Sequence, residues 1–179
     1  RSTPAHQGVD MALIGHVIDL KLPWLTGQSR TVVGVCDVVG LAMGIPPSKR
    51  ATLRCAGWLH GIGRVTIPNA LWNRANTLTA GEQERTRLAP YWTARAGQQV
   101  ESLAPAAALA SHAHEWLDGS GYFRGLSAAA LPIESRILAA AVGWVEYRSE
   151  RPWRPALEPA KALAQLRTPQ EALRYDAQV

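Results

Sequence analysis

The chain has 179 residues, 47% of them hydrophobic and 18% charged, which suits one globular domain with a sizeable core and excludes a disordered segment. Its formal net charge of +5 and pI of about 9.7 favour anionic partners, but the basic residues are scattered and form no run of the kind that marks a nucleic-acid tail. No apolar stretch approaches the roughly 18 residues of a membrane span, and two isolated cysteines, Cys36 and Cys55, point to a reduced, cytoplasmic setting.

Helical signals recur along the whole chain, and no segment alternates apolar and polar residues as a half-buried strand does. Val9, Leu13, Val17 and Leu20 follow one another at helical spacing and end near Pro23. Ser29 is placed to cap a second helix through Val32, Val33, Cys36, Val39 and Met43, stopped by Gly44 and the Pro46-Pro47 pair. Ser48 opens a third helix that runs to about His60 and breaks at Gly61 and Gly63. A short helix over Ala70 to Trp72 follows Pro68, and Thr79 with Glu82 forms a capping box for a helix from Ala80 onward. Pro90 predicts a kink or break in that helix. Pro105 opens an alanine-rich helix to about His114, then comes the loop Asp118-Gly119-Ser120-Gly121-Tyr122-Phe123-Arg124-Gly125. A long helix from Pro132 to about Tyr147 and two shorter ones complete a single all-α domain over residues 1–179, and Arg1 with no initiator Met marks it as a fragment of a larger protein.

Two segments carry the chemical interest. The first is Leu59-His60-Gly61-Ile62-Gly63-Arg64, followed by Ile67-Pro68-Asn69; the second runs from His112 through Gly125. In this order, with Leu78 to Glu82 between them, Arg136 to Ala139 and Arg151-Pro152-Trp153-Arg154 after them, Lys21 to Arg30 before and Tyr175-Asp176 at the end, the chain resembles the HD-GYP family of cyclic-dinucleotide phosphodiesterases over roughly residues 10 to 179. The resemblance implies an HD-domain-like helical bundle. In that family a two- or three-metal centre hydrolyses cyclic di-GMP: bound ions generate hydroxide and stabilise the charge on the attacked phosphate.

The ligand positions that the resemblance implies are depleted in this chain. Gln28 stands where the second helix opens with a histidine. Of the histidine-aspartate doublet only His60 remains, with Gly61 in place of the bridging aspartate. Ala89 and Ala113 stand at two further histidine positions, His114 survives beside the second, and Val142 replaces the late aspartate. Two imidazoles and an amide fall short of the three or more good donors a metal needs, so no metal and no other cofactor is expected. His112 is no substitute for Ala113, because neighbouring helical positions point about 100° apart. Asp118-Gly-x-Gly-Tyr122 is intact, with Phe123 replacing the family's proline.

In relatives that loop shapes the dinucleotide pocket, which makes Arg64, Tyr122 and Arg124 the candidate ligand-binding residues. Equally, the loop persists if the fold needs its turn. Trp58, Trp92 and Trp144 lie close in sequence to the lost ligand positions, as fillers of the vacated space or as ordinary core residues. The reading is a non-catalytic sensor domain of bacterial signalling that binds a cyclic dinucleotide or another anionic small molecule, reaching DNA only through a separate domain and making no membrane contact. Two alternatives stay open: a structural scaffold that forms a homodimer through the apolar first helix, and a metal-dependent phosphodiesterase with an unusual site.

Overall fold

The computed structural model describes residues 10–179, so Val9 of the first apolar stripe lies outside the described residues. Helices are α1 (Met11–Asp19), α2 (Gln28–Ala42), α3 (Pro47–Leu59), α4 (Asn69–Trp72), α5 (Ala80–Arg87), α6 (Ala89–Gly97), α7 (Ala104–Ala110), α8 (Ile133–Arg148) and α9 (Pro159–Leu166). Among the described residues there is no strand, only two isolated bridges, Asp118 with Ser127 and Arg151 with Arg154. None of these helices is long and apolar enough to cross a membrane.

The core is built where α2, α3, α7 and α8 meet. Val32 and Cys36 from α2 pack with Leu53, Ala56 and Leu59 from α3, and with Ile137, Leu138, Ala141, Val142 and Val145 from α8. The three- and four-residue spacing of each set puts it on one helix face. Ala106, Ala107 and Ala110 contribute the face of α7, small enough for that short helix to lie close against α3. Cys36 is buried in this core and Cys55 is half-buried; both are free thiols.

Local signals act as the sequence predicts at several joints. Thr79 and Glu82 form the capping box of α5, with Thr79 N donating to Glu82 Oε2 at 2.9 Å and Glu82 N to Thr79 Oγ1 at 3.4 Å. Pro90 breaks the segment into α5 and α6. By contrast α3 opens at Pro47, with Pro46 as its cap, and not at Ser48.

The stripe Leu13, Val17 and Leu20 lies on the outer side of α1, 60%, 59% and 74% exposed, while Gly15, Ile18 and Asp19 form the buried face. Two further expectations are corrected. Ser29 is not the cap of α2. The helix starts one residue earlier, after Gly27 in the left-handed region at φ 78°, and Ser29 is buried inside the first turn. Its cap is supplied from a distance by Asp19, which accepts from Ser29 N at 2.9 Å and from Ser29 Oγ at 2.7 Å. Finally, α7 stops at Ala110 rather than His114. Ser111 Oγ donates to Ala108 O at 2.7 Å, and the next amides bond three residues back, His112 N to Leu109 O and Ala113 N to Ala110 O, so the chain winds up into tight turns.

The Asp19 cap ties α1 to α2 through two charge-assisted bonds in a buried place. Asp19→Ala is expected to destabilise the domain by about 2 kcal/mol or more, and Ser29→Ala by about 1 kcal/mol, because only one of the two bonds is then lost. Urea denaturation midpoints of the two variants check this ordering.

Candidate functional site

His60 terminates α3, and the chain turns at Gly61 into a 3₁₀ segment, Ile62–Thr66. Hydrogen bonds pin this corner to α6: Gly63 N donates to Thr93 Oγ1 at 3.1 Å, and Thr93 Oγ1 lies 3.4 Å from His60 O. His60 Nδ1 lies 2.7 Å from Gly57 O. A carbonyl only accepts, so Nδ1 carries the proton and Nε2 holds the lone pair. That Nε2 is buried with no hydrogen-bond partner. Burial, and then the nearby Arg64 guanidinium, push the His60 pKa down to about 3, against a smaller opposing effect of the Gly57 carbonyl.

His60 lines a small cavity of about 60 Å³ together with Arg64, Ala89, His114, Tyr122 and Glu146. Two of the predicted positions, His60 and His114, therefore do come together, and Ala89 borders them. His114 stacks on Tyr122, ring centroids 5.0 Å apart and 12° between planes, and burial lowers its pKa as well. Ala113 and Val142 face the core instead, and Gln28 is buried at the start of α2 with no partner for its amide nitrogen or oxygen. His112 lies on a turn, not a helix, yet it does point elsewhere: its Nδ1 is 2.8 Å from Ser135 Oγ.

Arg64 decides the character of this cavity. It is only 7% exposed, and a Cβ built at Gly61 would lie 3.3 Å from Arg64 Nη1 and 3.0 Å from Ile18 Cγ2. The guanidinium thus occupies the space a side chain at position 61 would enter. Its carboxylate neighbour is Glu146, at 3.6 Å. Among the described residues no three His, Cys, Asp or Glu side chains come together closely enough to hold a metal ion. The small cavity offers two imidazoles and the Glu146 carboxylate, and that carboxylate is paired with the Arg64 guanidinium, so the set falls short of three free donors for a divalent ion.

Arg64, Trp72 and Glu146 also border a larger cavity of about 260 Å³, reached from the same corner. Four guanidinium groups line it, those of Arg64, Arg151, Arg154 and Arg174, against two carboxylates, Glu146 and Glu171. Four tryptophans contribute to its wall: Trp24, Trp72, Trp116 and Trp153. Arg151 is buried, with its guanidinium carbon 4.6 Å from the Trp24 ring centroid, and burial brings its pKa down to about 10. Arg174 stacks over Trp116 at 4.2 Å and pairs with Glu171 at 2.8 Å. Sequence reasoning missed this assembly. Its signal was the Arg151-Pro152-Trp153-Arg154 run, whose charges and rings converge only once α8 has ended. Trp58, Trp92 and Trp144 border neither of these cavities; Trp58 packs edge-on against His16, Trp92 is 40% exposed and Trp144 packs against the core.

The glycine-rich loop is held by a residue the sequence reading left unassigned. Glu115 is buried, and its carboxylate accepts from Arg124 N at 2.7 Å and Leu126 N at 2.8 Å. Asp118 Oδ1 accepts from Ser120 N at 2.9 Å, and Gly119 and Gly125 adopt positive φ of 75° and 65°, as a tight turn requires. Arg124 itself folds back: Nη1 donates to Ser111 Oγ at 2.9 Å, and the guanidinium lies 4.2 Å over the Phe123 ring.

Two outcomes follow from this geometry. Glu115→Ala removes two charge-assisted bonds to partly buried amides and is expected to destabilise the domain by about 2 kcal/mol or more, with faster amide exchange confined at first to residues 118–126. Glu115→Gln keeps one acceptor and should fall between the variant and the parent in chemical denaturation. For His60 the folded pKa lies below the ordinary value of 6.5, so the unfolded chain takes up a proton that the fold refuses. Stability is therefore complete above about pH 6.5 and declines as pH falls toward 3. His60→Asn should flatten that decline in melts recorded between pH 7 and pH 4.

Comparison with known proteins agrees with the architecture. The model of the HD domain family matches residues 13–179. The 3′3′-cGAMP-specific phosphodiesterase 3 of Vibrio cholerae is 30% identical over 150 residues, covering 84% of this chain and 33% of the relative. The cyclic di-GMP phosphodiesterase response regulator RpfG of Xanthomonas campestris is 31% identical over 145 residues, 78% of this chain and 38% of the relative. A cyclic di-GMP phosphodiesterase of Thermotoga maritima is 28% identical over 138 residues, 75% of this chain and 34% of its own length. The chain thus spans about a third of the length of these relatives. An all-α bundle with His60 and His114 drawn to one corner, matched along nearly its whole length, belongs to the HD domain family and is homologous to cyclic dinucleotide phosphodiesterases.

Proposed function

We propose that this chain is a regulatory HD domain that binds a cyclic dinucleotide, or a related anionic ligand, without hydrolysing it. The observation that carries the reading is the buried Arg64 guanidinium beside Gly61. Hydrolysis by a metal centre depends on ions that lower the pKa of bound water and bridge the attacked phosphate. Here a fixed cation adjoins two neutral imidazoles, which supports phosphate binding and offers no route to hydroxide. A lone imidazole acting as general base accounts for only about 10²–10⁴-fold.

The ligand's charge partner shifts from the sequence expectation. Arg124 is engaged with Ser111 and Phe123, whereas the cavity bordered by Arg64 and Arg151 has a surplus of positive charge and tryptophan faces on which a base can stack. At about 260 Å³ it is near the lower end of small-molecule sites, so it seats one nucleotide unit with the remainder at its mouth. Tyr122 borders the adjoining small cavity and so stays within the site. The domain serves as the sensor part of a larger cytoplasmic signalling protein, and any contact with DNA belongs to another domain.

Purified protein is expected to hold no stoichiometric Zn, Mn or Fe after dialysis and to leave cyclic di-GMP and 3′3′-cGAMP intact with Mn or Fe added. Turnover that His60→Ala abolishes would refute the non-catalytic reading and favour the phosphodiesterase. Calorimetry should show dinucleotide binding that Arg151→Ala weakens at least about tenfold, one lost charge-assisted bond being worth about 1.5–3 kcal/mol, while Arg124→Ala changes it less than about threefold. The reverse ranking would return the ligand to the 118–125 loop. The exposed stripe Leu13, Val17 and Leu20 favours a second reading, a homodimeric scaffold, which sedimentation of the parent and Val17→Glu would separate from the first.

A further inference from the structure

A second cavity lies on the other side of α8, and it has the opposite chemistry. Its volume is about 400 Å³, larger than the arginine-lined cavity and within the range of about 300–1,000 Å³ typical of small-molecule sites. Its walls come from Val35 and Val39 of α2, Ala140 and Trp144 of α8, Leu163 and Leu166 of α9, and the closing segment between Ala172 and Val179. The void has a local cause. On α8 the methyl of Ala140 faces it where Trp144 stands one turn later, and α9 reaches the body of the domain through Ala162, its fully buried residue, with Leu163 left 41% exposed.

The apolar lining offers water few polar partners. The polar groups at the rim are few. Asp176 is already engaged, accepting from Arg136 Nη1 at 2.9 Å and from Gln178 N at 3.0 Å. Arg167 is exposed at the mouth, and among the described residues no carboxylate lies within salt-bridge distance of it. An aliphatic and indole-lined space with one free guanidinium at its edge is complementary to a molecule with an apolar body and a single negative head.

We infer that the cavity between α2, α8 and α9 binds an apolar carboxylate, its chain or ring against Val39, Trp144 and Leu166 and its carboxylate on Arg167. The site is separate from the one under Proposed function and does not depend on it, although Tyr175 lines both cavities.

Decanoate and its neutral counterpart 1-decanol serve as probes, followed by calorimetry and by the thermal midpoint of the protein. Decanoate is expected to bind saturably at one site per chain and to raise the midpoint. Ala140→Leu fills the void, so it should raise the midpoint of the free protein and weaken decanoate binding at least tenfold. Arg167→Gln, at an exposed position that leaves the fold intact, should weaken decanoate about fivefold or more and leave 1-decanol unchanged. Non-saturable decanoate uptake, or equal loss of both probes in Arg167→Gln, overturns the inference. So does a concentration-dependent dimer that Ala140→Leu disrupts in the absence of decanoate binding, since the face then belongs to a second copy of the chain. If Ala140→Leu does not fold, the Arg167→Gln comparison decides alone.

Discussion

The buried guanidinium of Arg64 is the constraint around which this corner of the fold is arranged. A cation that is 7% exposed is costly unless its charge is answered, and within 4 Å the answering carboxylate is Glu146, at 3.6 Å. The guanidinium lies close against position 61, where the absence of a side chain leaves it room. With Cβ present there, Arg64 Nη1 and Ile18 Cγ2 would both have to yield. Burial first, and this charge second to it, lower the pKa of His60 and His114, and the guanidinium borders both polar cavities. Glycine at 61 and arginine at 64 therefore act as a pair. The first leaves room at this corner, and the second sets a fixed positive charge beside it.

How legible this was in the sequence depends on how local each determinant is. The capping box at Thr79 and Glu82, the break at Pro90 and the turn glycines 119 and 125 all act within a few residues, and the elements they predict are present. The convergence of His60 and His114 was legible too, through the resemblance to relatives that use those positions. Determinants that join distant segments were not. Ser29 has the side chain of a good cap, yet the capping oxygen comes from Asp19, ten residues earlier and in another helix. Leu13, Val17 and Leu20 have the spacing of a core stripe, but α1 buries the face with Gly15 and Ile18, because a glycine there allows Trp58 to pack closely. Periodicity gives the angular spacing of a stripe and not which stripe faces inward. The arginine and tryptophan cavity was invisible for the same reason: Trp24, Trp72, Trp116 and Arg151 are far apart in the chain.

The glycine-rich loop is held by bonds within the domain. Two amides of this loop, those of Arg124 and Leu126, are consumed by the buried Glu115 carboxylate, and Tyr122 N donates to His114 O at 2.9 Å. These bonds are internal to the domain and independent of any ligand. They are sufficient reason for Gly119 and Gly125 to hold this turn with or without a ligand. Arg124 is part of the same internal arrangement, through Ser111 and Phe123. The surplus of positive charge lies instead at Arg64 and Arg151.

Helix α8 is the element that separates the chemistries. Its 16 residues amount to about 24 Å of helix at 1.5 Å per residue, long enough to present distinct faces at distinct heights. Leu138, Val142 and Val145 face the core, Ala140 and Trp144 turn to the apolar cavity, and Gly143, Glu146 and Tyr147 border the arginine-lined one. Val142 is consistent with that division: an aspartate at this position, 1% exposed among Val32, Leu138 and Ile137, would require a bound cation to answer its charge. In a domain whose nearby cation is the guanidinium of Arg64, held against Glu146 on the next turn of α8, an apolar side chain at 142 is the arrangement with no unanswered charge.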